Sequence, residues 1–233
     1  THITPAPLGG VPVRVYKSTP GYIDGENKAR LQSIFREGIS FVSFTGHSGG
    51  RVWGVTPGHP SELQNTDGRW PFISSVTCNV GGFSTPQNSV LAEDFLFVDS
   101  RGAIASWASV SVGYVTYGWL LNSYWLASAR EDSVRAFGML TTNAALRLWA
   151  AIGSGSITIA MINLNPLIGD PLSRFPLPTK PDLTVRSADI GLTLPYPTPN
   201  DSMLSVRVMI NNYGTVSPDS VGVTVADLYN GTT

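Results

Sequence analysis

The first apolar positions alternate. VPVRVY (11–16) predicts a short strand with period two. From Asp24 the period lengthens. DGENKARLQSIFREG predicts a helix with Asp24 as N-cap, Leu31, Ile34 and Phe35 on one face, and Gly38 as its stop. ISFVSF (39–44) follows as an apolar strand and runs into the loop TGHSGG. The unit then recurs. WPFISSVT (70–77) predicts a second apolar strand that ends in CNVGGF. Residues 88–100 read as a helix, with Val90, Leu91, Phe95 and Val98 on one face and Gly102 after it. AIASWASV (103–110) predicts a third strand. These near-continuous apolar runs suit a parallel sheet buried on both faces. Residues 119–130 and 133–151 predict two helices, the second capped by Asp132 or Ser133. SITIAMI (156–162) and the turn NPLIGDP (165–171) close the region.

The run PLSRFPLPTKPD (171–182) holds four prolines and reads as a linker. Beyond it the period returns to two. LTVRSADIGLTL, SMLSVRVMINN and SVGVTVADLY alternate apolar and polar residues between turn signals such as PTPND and NYG. Three or four strands make about half of a seven-stranded sandwich. The expectation is an α/β domain with a mostly parallel sheet, followed by a partial all-β sandwich of residues 183–229. The chain opens on Thr1, not Met, and its start resembles no signal peptide. The expectation is that it begins inside a larger gene product.

Charge narrows the functions. With 15 basic and 16 acidic residues the formal net charge is −1, and charged residues are only 13% of the chain. Nucleic-acid readers cluster Lys and Arg to neutralise phosphates, so no nucleic-acid partner is expected. The 42% hydrophobic content of the 233 residues is enough for a packed core. No stretch is apolar for long enough to span a membrane as a helix. Low charge with abundant Ser, Thr, Gly and aromatics suggests an extracytoplasmic protein. Cys78 is the one cysteine. It has no disulfide partner in the chain, and no Cys/His cluster closes a zinc site.

His47 and Cys78 carry the chemistry. Each follows an apolar strand and stands in a glycine-containing loop. Ligands of open α/β sheets bind at the carboxyl ends of parallel strands. If the two strands are neighbours, imidazole and thiol emerge side by side. That is a nucleophile–base pair: the imidazole favours the thiolate and later protonates a leaving amine. Plainer readings exist. A cysteine after an apolar strand also serves as a small buried hydrophobe, and a histidine in a glycine loop as a surface residue. His59, in a polar Pro/Gly loop, reads as solvated, and Asp170 in IGDP as a turn former.

Four ordered stretches carry a resemblance to a known family. VSFTGHSGGRVWG resembles the Gly-His loop of gingipain-type cysteine peptidases (family C25, caspase-like clan), and SSVTCNVGGF resembles their nucleophile strand and loop. AEDFLFVDSRGAIASWASV resembles the helix and strand after the nucleophile, and NPLIGDPLSRF the closing GDP segment. The resemblance covers roughly residues 6–178. PDLTVRSADI with SVRVMINNYGTVSPDSVGVTVADLY resembles a CARDB-type immunoglobulin-like module.

The resemblance implies a caspase-like three-layer domain over residues 1–178, incomplete at its N-terminus, and the start of an immunoglobulin-like sandwich over 179–233. It implies Cys78 as nucleophile and His47 as general base and acid, with the backbone N–H groups of Ser48 and Cys78 as oxyanion donors. The family usually has Gly where Ser48 stands. A serine keeps the N–H but is strained if the backbone needs positive φ. The acidic residue that orients the histidine lies upstream in the family, so no carboxylate of this chain takes that role. In the aromatic segment 107–119, Trp107 reads as core, and Tyr114 and Tyr117 as a wall of the substrate pocket. The resemblance implies no required cofactor or catalytic metal and allows a structural calcium. The implied function is a secreted or cell-surface bacterial cysteine endopeptidase. Its partners would be a peptide or protein substrate and the upstream half of the same gene product. The alternatives are an inactive peptidase-like scaffold of a surface adhesion protein and, more distantly, a small-molecule-binding domain with a structural Cys78.

Overall fold

A computed structural model describes residues 3–4, 8–18, 21, 23–84, 87–176, 180–192, 198, 203, 205–212 and 220–224. They fall into two compact units, one built on Pro12–Pro176 and the other on Leu177–Thr233 with Thr4–Val11. In the first unit, helix α1 (Lys28–Glu37) leads to strand β1 (Phe41–Thr45) and strand β2 (Phe72–Val76). Helix α2 (Leu91–Phe97) and strand β3 (Ala105–Ala108) follow. Then come helices α3 (Val115–Glu131), α4 (Phe137–Ile152) and α5 (Ser156–Asn163), and strand β4 (Leu167–Gly169). The sheet order is β1-β2-β3-β4. The first three strands are parallel, and β4 runs antiparallel to β3. This is the mixed α/β architecture with a mostly parallel sheet that the apolar runs predict.

The period of two sorts the strand residues onto two packed faces. Ile73 and Ala108 point to a core shared with Phe35 of α1 and Leu91, Ala92 and Phe95 of α2, where the Phe35 and Phe95 rings stack at 6.1 Å. Their neighbour Phe72 points the other way. Its ring lies 4.7 Å from Trp125 of α3 and 4.6 Å from Phe137 of α4. All five residues of β2 are buried, which explains why it reads as a continuous apolar run. Two serines sit inside that run. The Asn122 side chain of α3 reaches both sheet strands, donating to Ser43 Oγ at 2.9 Å and accepting from Ser74 Oγ.

Several expectations need correction. Residues 11–16 form no strand. Helix α1 starts four residues after Asp24, with Asn27 as its cap residue. Asp24 is buried, and its carboxylate accepts from Ser18 N at 2.6 Å, Ser18 Oγ at 3.0 Å and Glu26 N at 2.9 Å. It holds the turn before the helix, so it is not free to cap it. Helix α3 begins at Val115 rather than 119. Helix α4 is preceded by Ala136, without a side-chain cap. SITIAMI, to which the pattern assigns no element, is helix α5, and the NPLIGDP turn contains strand β4.

In the second unit, strand β5 (Leu183–Thr184) pairs with strand β8 (Asn211–Asn212), and strand β6 (Ile190–Leu192) with strand β7 (Val206–Val208), both antiparallel. These are two separate two-stranded ribbons. Of SVGVTVADLY, residues 220–224 carry no strand, and 225–229 lie outside the described residues. Among the described residues no helix is long and apolar enough to cross a membrane.

Candidate active site

The sheet register brings the two chemical residues together. Strands β1 and β2 pair in parallel from Phe41 opposite Phe72 to Thr45 opposite Val76. The Gly46 N–H donates to Val76 O at 3.3 Å and carries the ladder one residue further. His47 and Cys78 each stand two residues past the end of these paired strands. Neighbouring strands lie about 4.8 Å apart, so the two backbones arrive side by side.

The histidine loop is a small hairpin. Ser48 bridges Trp53 antiparallel, Gly54 N donates to His47 O at 2.8 Å, and Gly49 N donates to Val52 O at 2.9 Å. Trp53 anchors it. Its buried ring stacks on Phe44 at 5.0 Å and lies 5.3 Å from Phe95. The start of α2 holds the tip, with Leu91 N donating to Gly50 O at 3.0 Å and Arg51 to Ser89 Oγ at 3.2 Å. His47 is thus exposed on an immobilised loop.

Cys78 is half-buried. The residues after β3 hold its loop: Asn79 N donates to Ser111 O at 3.0 Å, and Gly81 N to Ser109 O at 2.9 Å. Asn79 takes a left-handed φ of 61° and turns the chain just past the thiol. Ser48 is not in the left-handed region, so serine at that position carries no such strain. The Gly113 N–H donates to Cys78 Sγ at 3.4 Å. The Ser48 hydroxyl donates to Cys78 O. The Cys78 N–H itself meets no acceptor among the described residues.

Gly113 owes its place to its missing side chain. A Cβ there would stand 2.6 Å from Thr77 O, a backbone atom that cannot rotate away. Gly113→Ala is therefore expected to push the segment off Cys78. Alkylation of Cys78 by iodoacetamide should slow about threefold or more, and urea unfolding should show a loss of about 1–3 kcal/mol.

His47 and Cys78 share the wall of a cavity of about 150 Å³. Tyr114, half-exposed at its edge, is among the lining residues. Tyr117 is not, but its ring packs edge-on against Tyr114 at 6.4 Å. Trp107 is in the core and donates from Nε1 to Asn165 O at 2.6 Å. The sequence assigned nothing to Met161 and Asn165, yet both line the cavity beside Thr77, whose Oγ1 is buried with no partner among the described residues. No local signal marks them, because they come from α5 and the turn after it.

The remaining polar residues have structural partners. His59 caps a short helical turn at Pro60–Glu62, with Nδ1 2.8 Å from Ser61 Oγ and Nε2 3.5 Å from Asp94. Asp170 accepts from Leu172 N at 2.9 Å, as a turn former does. Among the described residues no three His, Cys, Asp or Glu side chains cluster to hold a metal ion. No residue is therefore assigned to the structural calcium that the resemblance allows.

Comparison with known proteins agrees with this fold. The chain is similar to the Arg-specific cysteine proteinase gingipain R, with a TM-score of 0.58 and 24% identity over 75% of the chain and 43% of that protein. A complex of the pro- and mature domains of Porphyromonas gingivalis RgpB matches with a TM-score of 0.59 and 24% identity, over 75% of this chain and 44% of that one. A further protease structure matches with a TM-score of 0.53 and 15% identity, over 81% of this chain and 51% of that one. The chain thus spans less than half the length of the gingipain structures, and what it shares with them is the fold. No curated protein sequence matches it. The sequence model of Peptidase family C25 matches residues 12–176, which include both strands, both loops and the cavity, and the chain belongs to that family.

Proposed function

We propose that this chain carries the nucleophile and the general base of a cysteine endopeptidase. The observation that supports it best is that His47 and Cys78 follow the carboxyl ends of adjacent parallel strands and line one cavity. In this reading His47 accepts the thiol proton, and Cys78 Sγ attacks the carbonyl carbon of the scissile peptide bond. The backbone N–H groups of Ser48 and Cys78 stabilise the oxyanion of the tetrahedral intermediate. His47 then protonates the leaving amine, and a thioester acyl-enzyme remains. Water, deprotonated by His47, attacks the thioester and releases the acid and the free thiol. Tyr114, with Tyr117 behind it, forms part of the wall against which the substrate side chain lies. The substrate is a peptide or protein, and the enzyme is a secreted or cell-surface bacterial protein.

Alkylation tests the pair without knowledge of the substrate. Iodoacetamide at about pH 6.5 should label Cys78 readily in the intact protein, and His47→Ala should slow labelling about tenfold, because the imidazolium that favours the thiolate is gone. Labelling that is slow and indifferent to His47 would count for the inactive-scaffold reading instead.

A further inference from the structure

The Cys78 carbonyl is held by a side chain. In a parallel ladder the rung after Gly46 N–H to Val76 O would bring the Ser48 N–H to Cys78 O. At that place the Ser48 hydroxyl is the donor. The peptide unit after Cys78 is then gripped on both sides, its C=O by Ser48 and its N–H, that of Asn79, by Ser111 O at 3.0 Å. The grip sits where the chain turns through the left-handed Asn79, so it fixes the direction in which Cys78 leaves the strand. Its other end is equally fixed. Ser48 belongs to the hairpin that presents His47, and that hairpin is pinned through Trp53 and Gly50.

We propose that the Ser48 hydroxyl is a positioning residue that couples the general-base loop to the nucleophile loop and holds thiol and imidazole in one geometry. This role rests on the peptidase reading and concerns the side chain of Ser48, separately from its backbone N–H. A single side-chain hydrogen bond is worth about a fivefold change in rate if it is present in the transition state. In Ser48→Ala the half-buried carbonyl loses its donor and the two loops are no longer tied.

The test compares wild type, Ser48→Ala and Ser48→Thr in the intact protein. Expected for Ser48→Ala are a fall in kcat of about fivefold to tenfold with KM within about twofold, and a matching fall in the rate of Cys78 alkylation by iodoacetamide. Ser48→Thr keeps the hydroxyl and should recover most of both losses, while the melting temperatures of all three stay within about 3 °C. Unchanged alkylation in Ser48→Ala would overturn the proposal. So would a loss that Ser48→Thr does not recover, or one that follows the melting temperature. A wild-type protein that alkylates rapidly but cleaves no peptide defeats the peptidase reading alone, since alkylation still reports whether Ser48 holds the pair.

Discussion

Cys78→Ala is expected to remove peptide cleavage by at least about 10⁴-fold, because no other thiol in the chain can form the acyl-enzyme. The same change should barely alter folding. Cys78 is half-buried, and its sulfur accepts one long contact from the Gly113 N–H at 3.4 Å. Loss of one sulfur atom there should cost within about 1 kcal/mol in urea unfolding. The combination is diagnostic. A structural cysteine would show the opposite pattern, with activity kept and stability lost. A variant that still cleaves at a tenth of the wild-type rate would remove Cys78 from the mechanism.

Gly102→Ala should produce the largest loss of stability. Gly102 has φ of 90°, a conformation that favours glycine, and a Cβ there would stand 2.1 Å from the carbonyl oxygen of Phe95 and 2.7 Å from Val98. The backbone cannot simply move away. Its N–H donates to Asn65 Oδ1 at 3.0 Å and its carbonyl accepts from Asn65 Nδ2 at 2.7 Å, and Asn65 is fully buried. Overpacking, strain and a damaged buried hydrogen-bond pair together should cost about 3–4 kcal/mol, or roughly 10 °C in melting temperature. The effect should also reach the site, because Gly102 leads into β3, whose following residues hold the Cys78 loop. A loss below about 1 kcal/mol would show that the turn before β3 rearranges freely.

Local chemistry makes much of this protein legible from its residues. Strands at 41–45, 72–76 and 105–108 stand within two or three residues of the apolar runs that predict them, and the two that are buried throughout, 72–76 and 105–108, have no polar interruption except serines. The order of helix, strand and glycine loop points to His47 and Cys78, and their loops follow adjacent parallel strands. The local signals fail where a side chain has a distant or competing partner. Asp24 looks like a cap but is consumed by Ser18, and SITIAMI, to which its own pattern assigns no element, is a helix packed beside α4 and α3. The alternating segments beyond Pro181 form short ribbons at 183–184, 190–192, 206–208 and 211–212.

What the sequence determines by itself is therefore the inventory: a mostly parallel α/β unit, one thiol and one imidazole at strand ends, and a family signature over most of the chain. The tertiary structure decides how those parts meet. Parallel pairing of β1 and β2 brings His47 and Cys78 to one cavity, Ser48 reaches a carbonyl thirty residues away, Gly113 reaches the sulfur, and Met161 and Asn165 line the cavity from a helix and turn far along the chain. Propensity and periodicity act over a few residues. Register, hydrogen bonds between loops and the shape of a cavity are set by which surfaces bury each other, and only the folded chain brings those surfaces together.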